Sequence, residues 1–387
     1  MEFDVVVVGS GAGGLTTAFV AARSGLEVLL VEATDKFGGT TALSGGGVWI
    51  PGSPHQTSIG IQDSADQART YLKAVLGNFY DAEKIDVYLE KAVEMLAYLE
   101  GHSEVQLTAS TIPDYEPHLP GWNVGRCLLT ADFDGNELGR DFDDIRPHIR
   151  EVGVFSSMQV APADAFRMMH WRDSISNALF SLGRVAVYAA DRIRGRRGRR
   201  MANGNALVGR LFKSARDAGV TLWNRSRARE LVVEDGRVTG VVIERNGGTE
   251  RVAARKGVVL ASGGFGANEE LRQKFMPQSR PGWSLQPEGC QGDGISMGVK
   301  AGAVLNEGNA SNGIWVPASS HRRADGTLAI FPSLTFDRHF PGSIMVDARN
   351  GKRFVDESFH YQAFGEVTLE KGITKVWMIS DAEAVGR

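Results

Sequence analysis

A buried strand that runs directly into a glycine-rich loop is the feature that most constrains the fold of this chain. The run Phe3–Val8 is rich in valine and polar only at Asp4, which is typical of a strand buried on both faces of a parallel sheet. The loop that follows fits the pattern G-x-G-x-x-G and reads Gly9-Ser10-Gly11-Ala12-Gly13-Gly14. An alanine-rich segment from Leu15 to Ser24 then predicts a helix, with Gly25 as its C-cap.

This strand, loop and helix together predict a dinucleotide-binding unit. In such a loop the first glycine permits the tight turn, the second lets the backbone approach a pyrophosphate, and the third lets the helix pack on the strand. The helix N-terminus offers N–H groups to the phosphates. A second apolar strand, Glu27–Val31, leads into Glu32 and Ala33. The Glu32 carboxylate can accept hydrogen bonds from both ribose hydroxyls and would repel a 2′-phosphate, which disfavours NADP.

A second cluster of small residues distinguishes FAD from NAD. A glycine-rich backbone segment is costly in chain entropy unless it must approach a large flat group. An NAD-binding unit typically continues from its acidic residue into helix and strand, whereas the longer FAD molecule needs a second cradle. A flexible loop is the alternative, although Trp49-Ile50-Pro51 argues against it. The predicted FAD contacts of this cluster are Gly38, Gly39, Thr40, Thr41, Ser44, Gly45, Gly46 and Gly47.

The segment from Gly38 to Trp49 resembles the flavoprotein family of fumarate reductases, aspartate oxidases and 3-ketosteroid dehydrogenases. It is most similar to the 3-ketosteroid Δ1-dehydrogenase branch, and the resemblance extends over nearly the whole chain. Two β-rich runs around the turn signal Glu234-Asp235-Gly236 predict a hairpin, and Lys256–Ala261 has the pattern of a buried strand. The resemblance implies that both belong to the FAD domain. It also implies further FAD contacts at Ala228, Ala261, Ser262, Gly263 and Asp293. For Asp293, which precedes a predicted helix, an N-cap role is the alternative.

The resemblance implies an α/β fold with a discontinuous, Rossmann-like FAD-binding domain and an α+β substrate or cap domain. We expect the FAD-binding domain at 1–50 and 200–302, a helix-rich insertion at 51–199, and the cap at 303–387. Helices are predicted at 63–77 and 83–100 and after Gly204. The family has a further C-terminal segment that contacts the flavin, so the cap is expected to be incomplete in this chain.

The same resemblance suggests a chemistry and a catalytic residue. Removing two hydrogens beside a ketone requires a base, a hydride acceptor and a donor that polarises the carbonyl, and FAD accepts the hydride. Pro113-Asp114-Tyr115 is similar to the ketosteroid dehydrogenase motif whose tyrosine assists proton abstraction. The resemblance therefore gives this role to Tyr115, with a loop tyrosine packed between prolines as the alternative.

The chain departs from the family at a second catalytic position. The family's proton-abstracting tyrosine corresponds to the region 336–346, which contains no tyrosine here. His339 lies in that region and can accept a proton near neutral pH, although we favour an ordinary loop histidine. Another enone-forming reaction on a hydrophobic ketone therefore stays open, as does a flavin-binding protein without turnover. A fumarate reductase matches less well, because Trp315–Ala318 stands where that branch has His-Pro-Thr.

Charge and cysteine content restrict the partners and the compartment. The chain has 43 Lys and Arg against 46 Asp and Glu, a net charge of −3, which gives no indication of a nucleic-acid partner. Cys127 and Cys290 are far apart in the sequence, so we expect two inert buried thiols, no metal site and a reducing, cytoplasmic location. The arginine-rich run 192–200 is compatible with contact at an anionic membrane surface or with a solvated loop, and we favour the loop.

Overall fold

The structure is a computed structural model of the chain, and it describes residues 1–195, 197–333, 338–339 and 341–382. Part of the 336–346 region, including Phe336, and Arg196 of the arginine-rich run lie outside the described residues. The helices are α1 Ala12–Arg23, α2 Pro54–Ser58, α3 Ala65–Leu76, α4 Ala82–His102, α5 Pro162–Met169, α6 Ile175–Arg194, α7 Asn203–Asp217, α8 Glu269–Phe275, α9 Asp293–Lys300 and α10 Tyr361–Glu370. The strands are β1 Glu2–Val8, β2 Val28–Val31, β3 Gly47–Trp49, β4 Leu107–Thr108, β5 Cys127–Thr130, β6 Phe133–Asp134, β7 Arg200–Met201, β8 Thr221–Trp223, β9 Ser226–Glu234, β10 Arg237–Arg245, β11 Gly248–Leu260, β12 Ala318–Arg322, β13 Leu328–Pro332, β14 Ser343–Asp347 and β15 Val376–Ser380.

The main sheet has six strands in the order β8-β2-β1-β11-β10-β9. Strands β8, β2, β1 and β11 are parallel, and β10 and β9 are joined to them as an antiparallel hairpin. Val6 and Val7 in β1 are fully buried, because this strand lies in the interior of the sheet with both faces covered. The predicted α/β fold with a parallel, Rossmann-like sheet is therefore confirmed.

Three parallel strands end at the same edge of this sheet. The N–H of Gly9, just after β1, donates to the carbonyl of Val31 at 2.8 Å, and the N–H of Ala261, just after β11, donates to the carbonyl of Val8 at 2.8 Å. Ligands of open parallel sheets bind at the carboxyl ends of the strands. This edge is therefore where a dinucleotide is expected.

Helix α1 begins earlier than the sequence indicates. It starts at Ala12, with Gly11 as N-cap, rather than at Leu15. The prediction treated the last glycines of the loop as non-helical, but a glycine costs a helix only about 1 kcal/mol, and here the first turn must lie very close to β1. At the other end Ser24 is the C-cap and Gly25, the predicted cap, follows with φ of +82°, as is typical of the residue after a helix.

The chain forms two compact units. The first comprises 1–161, 187–264 and 287–304, and the second comprises 162–186, 265–286 and 305–387. All six strands of the main sheet fall within the predicted FAD-binding segments. The assignment of the other segments as insertion and cap stays a prediction. Among the described helices, none has both the length and the apolar character needed to cross a bilayer.

Candidate functional site

A cleft lies at the carboxyl edge of the sheet in the first unit. Its wall includes the loop after β1, the segment after β2, part of the second glycine cluster and the segment after β11. The predicted residues that line it are Gly9, Ser10, Gly11, Ala12, Gly13, Glu32, Ala33, Gly39, Thr40, Thr41, Ala228, Ala261, Ser262, Gly263 and Asp293. The cleft thus gathers residues that are up to 285 positions apart in the sequence, from Val8 to Asp293.

The glycines of the first loop have distinct roles. A Cβ on Gly9, whose φ is +106°, would lie 2.3 Å from the carbonyl oxygen of Ala261. A Cβ on Gly14 would lie 1.9 Å from the carbonyl oxygen of Gly9, so only glycine allows α1 to pack on this turn. A Cβ on Gly13, in contrast, would meet no atom of the described residues within 4 Å. Gly9 and Gly14 are therefore required by the fold, and the space over Gly13 is open for a ligand.

The N-terminus of α1 is suited to bind phosphate. The first N–H groups of a helix have no partner within the helix, and here the N-cap Gly11 has no side chain to bind them. The first turn also contains no acidic residue. The N–H of Ala12 donates to Thr41 Oγ1 at 3.0 Å, which ties the second glycine cluster to the helix end. The remaining positive end of the helix favours an anionic group.

Glu32 stands at the end of β2, where the sequence predicts a ribose contact. It is only 7% exposed, and Ser10 Oγ donates to its Oε2 at 2.5 Å. The N–H and Oγ1 of Thr34 both donate to its Oε1 at 2.9 Å. These bonds fix the carboxylate against the cleft wall. They use three of its about four acceptor positions, which leaves one for a ribose hydroxyl.

The second glycine cluster serves packing more than the sequence indicates. A Cβ on Gly38 would lie 2.9 Å from Val208, and one on Gly46, whose φ is +68°, would lie 2.4 Å from the backbone of Asn203 in α7. Gly47 similarly faces the thiol of Cys127. Packing against the protein therefore explains why these three positions are glycine, and their contact with FAD stays a prediction. Of the predicted cofactor contacts, the cleft wall does not include Gly14, Gly38, Ser44, Gly45, Gly46 and Gly47.

Asp293 lines the cleft at the first residue of α9. The N-cap of this helix is Gly292, with φ of +80°, so the N-cap alternative for Asp293 is wrong. Nε and Nη2 of Arg227 donate to its carboxylate at 2.8 and 3.0 Å. Nearby, Ser262 Oγ accepts the N–H of Gly294 at 3.1 Å, which joins the end of β11 to α9.

Tyr115 does not line this cleft, and its side chain is exposed. The preceding Asp114 is buried, and its carboxylate accepts hydrogen bonds from Trp49 Nε1 at 2.8 Å and from Arg126 Nη1 at 2.6 Å. Nε and Nη2 of Arg126 donate hydrogen bonds to the carboxylate of Asp63 at 2.9 and 2.8 Å. In the motif Pro113-Asp114-Tyr115, Asp114 therefore fixes the loop and Tyr115 is exposed on it.

The guanidinium of Arg126 is the centre of this buried network. It is fully buried and lies 5.7 Å from the ring centre of Trp49 and 5.6 Å from that of Tyr71. Burial alone would raise the pKa of the Asp63 carboxyl, but the hydrogen bonds and charge of Arg126 outweigh it and hold that pKa below its usual value. The network anchors β3, which follows the second glycine cluster, and the loop that carries Tyr115.

Eight residues of the cleft wall were not predicted from the sequence. They are Val8, Val31, Thr34, Arg146, Ser226, Pro287, Gly289 and Cys290. The glycine cluster near residue 290 was a usable signal for two of them, whereas nothing in the local sequence marks Arg146. Cys290 is buried, as expected, but it lies in the cleft wall with its Sγ 3.6 Å from Thr40 Oγ1. Burial raises the pKa of this thiol.

Part of the arginine-rich run is packed against the protein rather than forming a solvated loop, although Arg192 is exposed. Its first residues belong to α6, which ends at Arg194. The guanidinium of Arg197 lies 4.0 Å from the ring centre of Phe142 and donates to the carbonyls of Phe142 and Ile145. Burial lowers the pKa of Arg197 to about 10. Arg200 pairs with Asp132 at 2.5 Å, so these arginines are held by the protein.

The cleft residues fit FAD. Gly13 leaves room where a side chain would enter, the end of α1 is uncompensated, and Glu32 is fixed beside it. Nε of Arg146, also in the wall, is buried and has no hydrogen-bond partner among the described residues. The glycine loop and α1 would hold the pyrophosphate, and Glu32 and Ala228 would hold the adenosine.

Comparisons with known proteins agree with this site. A family described as "FAD binding domain" matches residues 4–382. A 4-oxocyclohex-2-ene-1-carboxylate 5-dehydrogenase of Sinomonas cyclohexanicum is 36% identical, over 99% of this chain and 65% of the relative. A 3-oxosteroid 1-dehydrogenase of Mycolicibacterium smegmatis is 36% identical, over 93% of this chain and 62% of the relative. The solved 3-ketosteroid Δ1-dehydrogenase of Sterolibacterium denitrificans has a TM-score of 0.87 and 32% identity, over 99% of this chain and 69% of that one. The chain thus spans less than two thirds of the length of these two curated relatives.

Proposed function

This chain belongs to the FAD-binding flavoprotein family that includes the 3-ketosteroid dehydrogenases, its cofactor is FAD, and we propose that it removes two hydrogens beside a ring ketone. The proposal rests on one observation: the first unit contains both the FAD cleft and the anchored Pro113-Asp114-Tyr115 loop. The proposed product is an enone conjugated with the original carbonyl.

The relatives support a substrate class rather than one substrate. A 3-oxosteroid and a 4-oxocyclohexene carboxylate share a ketone in a six-membered ring, and the two corresponding relatives are equally identical to this chain. We propose a 3-ketosteroid-like hydrophobic ketone as the substrate. A small oxocyclohexane carboxylate is the second candidate, favoured by the match of the first relative over 99% of this chain, against 93% for the second.

Different residues of the chain would bind the cofactor and assist proton removal. Bound FAD supplies a two-electron acceptor for the hydride that leaves the β-carbon. The first glycine loop and α1 hold the phosphates, and Glu32 orients the ribose. Oη of Tyr115 assists removal of the proton from the carbon next to the carbonyl, while Asp114, Trp49 and Arg126 hold the backbone on which Tyr115 is carried.

The test is a substrate panel with the flavin-loaded protein and an artificial electron acceptor. Androstenedione and 4-oxocyclohexanecarboxylate are compared, and fumarate is tried with a reduced dye. Acceptor reduction with androstenedione supports the leading proposal, and reduction with the carboxylate alone supports the second candidate. Oxidation of the dye by fumarate would contradict the dehydrogenase proposal and support a fumarate reductase activity. A fully flavin-loaded protein inert in all three assays would contradict catalysis and support a flavin-binding role.

Location and surface contacts stay predictions from the sequence. The two cysteines, both free thiols in the structure, are the basis for a cytoplasmic location. The basis for contact with a membrane surface is weaker, since Arg197, Arg199 and Arg200 contact Phe142 or Asp132. Co-sedimentation with anionic vesicles would test that contact directly.

A further inference from the structure

Arg146 occupies an unusual position in the wall of the FAD cleft. Its backbone is fixed on both sides, because its N–H donates to the carbonyl of Phe37 at 2.8 Å and its carbonyl accepts Asn205 Nδ2 at 2.6 Å. The side chain is only 11% exposed. The guanidinium is therefore largely enclosed by the wall of the cleft.

The guanidinium joins two segments of the wall. Nη2 donates to Thr34 Oγ1 at 2.9 Å, and both terminal nitrogens donate to the carboxylate of Glu288 at 3.1 and 3.2 Å. Thr34 in turn donates to Glu32. A continuous chain of hydrogen bonds therefore runs from Glu32 through Thr34 and Arg146 to Glu288, along the side of the cleft where the adenosine ribose is expected.

One donor of this arginine is left over. Nε is buried and has no partner among the described residues, and a buried donor without an acceptor is costly. The pairing with Glu288 keeps the guanidinium charged and in place. Partial burial would raise the pKa of Glu288, but the hydrogen bond and charge of Arg146 outweigh it and hold that pKa below its usual value.

We propose that Arg146, which lines the cleft, binds the adenosine half of FAD through its guanidinium, and that Glu288 positions it. The planar guanidinium also suits the adenine, since arginine stacks on flat π-systems. This inference rests on FAD as the cofactor and does not depend on the proposed substrate or on turnover.

The experiment titrates apoprotein with FAD, ADP and FMN and follows flavin fluorescence or heat. ADP carries the adenosine half without the flavin, and FMN carries the flavin without the adenosine. Arg146→Gln should weaken FAD and ADP by the same factor, about 10- to 100-fold for one lost charged hydrogen bond, and should leave FMN unchanged. Glu288→Gln should weaken both adenosine ligands less, by about threefold, because the amide still accepts a hydrogen bond.

Arg225→Gln is the matched control, because the Arg225 side chain is 76% exposed and does not line the cleft. Melting of the apoproteins separates ligand binding from folding: Arg146→Gln should keep the apo melting temperature and lose much of the increase that ADP produces.

The proposal is overturned if Arg146→Gln binds FAD and ADP within twofold of the original chain, or if the affinity for FMN falls by the same factor. If Arg146→Gln does not fold, Glu288→Gln decides: equal binding of ADP by Glu288→Gln and the original chain overturns the proposal. None of these measurements requires turnover, so failure of the dehydrogenase proposal leaves this test intact.

Discussion

Trp49 and Asp114 are joined by a hydrogen bond of 2.8 Å from the indole Nε1 to the carboxylate. The two residues belong to the two segments that the sequence marks most clearly outside the dinucleotide loop, the end of the second glycine cluster and the Pro-Asp-Tyr motif. The guanidinium of Arg126 contacts both groups, because it donates to the Asp114 carboxylate and lies 5.7 Å from the ring centre of Trp49. The position of Tyr115 relative to β3 is thus set by buried, charged and aromatic contacts.

Asp114→Asn is expected to destabilise the fold. The change removes a charged partner from the fully buried Arg126, which retains Asp63. We expect the free energy of unfolding, measured in urea, to fall by about 2–3 kcal/mol. Asp66→Asn is the control, since that side chain is 94% exposed and its loss should cost less than about 1 kcal/mol. Equal stability of the two variants would show that Asp114 is not an anchor.

Adjacent glycines in the second cluster should respond differently to alanine. Gly46→Ala places a Cβ 2.4 Å from the Asn203 backbone at a φ of +68°, so we expect a loss of about 2–4 kcal/mol in unfolding free energy. A Cβ on Gly45 meets no atom within 4 Å in the part of the chain that the structure describes, so Gly45→Ala should fold normally. FAD titration of Gly45→Ala then tests the remaining prediction for this residue: unaltered affinity would mean that its backbone does not approach the cofactor.

His148 should make stability depend on pH. Burial, together with the charge of Arg197, lowers its pKa from 6.5 to about 4, and neither ring nitrogen has a partner in the described part of the chain. The folded state therefore holds the neutral ring. Its contribution is complete above pH 6.5 and is lost as the pH falls from 6.5 to about 4, by about 3 kcal/mol in total.

Unfolding in urea at several pH values, compared between the original chain and His148→Leu, isolates this effect from the carboxylates. The difference in unfolding free energy should shift in favour of the variant as the pH falls through that window. His118→Leu is the control, because the His118 side chain is 72% exposed. A constant difference between pH 7 and pH 4 would contradict the buried neutral state of His148.

Local patterns sufficed for the first strand, loop and helix, because a buried valine run and a G-x-G-x-x-G loop act through neighbours in the chain. Local patterns could not show that Gly46 is needed for packing and Gly45 is not, since the backbone that a Cβ on Gly46 would meet belongs to Asn203, far away in the sequence. Arg146 was missed for a related reason: its partners, Thr34 and Glu288, are distant in sequence, and a single arginine in a loop carries no periodic signal. The prediction for Tyr115 came from the resemblance. The anchoring role of Asp114 is visible only in the structure, because its partners Trp49 and Arg126 are not part of the motif.

Tyr115→Phe tests the catalytic assignment while keeping the ring. Oη is the only atom removed, from a side chain that is 52% exposed, so the unfolding free energy and FAD affinity should stay within about 0.5 kcal/mol of the original values. Turnover of the ketone should fall by about 10²- to 10⁴-fold, the usual contribution of a group that assists proton transfer. Tyr98→Phe, on α4 and stacked on His102, is the matched control and should turn over normally. Unchanged turnover in Tyr115→Phe, with FAD fully bound, would remove Tyr115 from the mechanism.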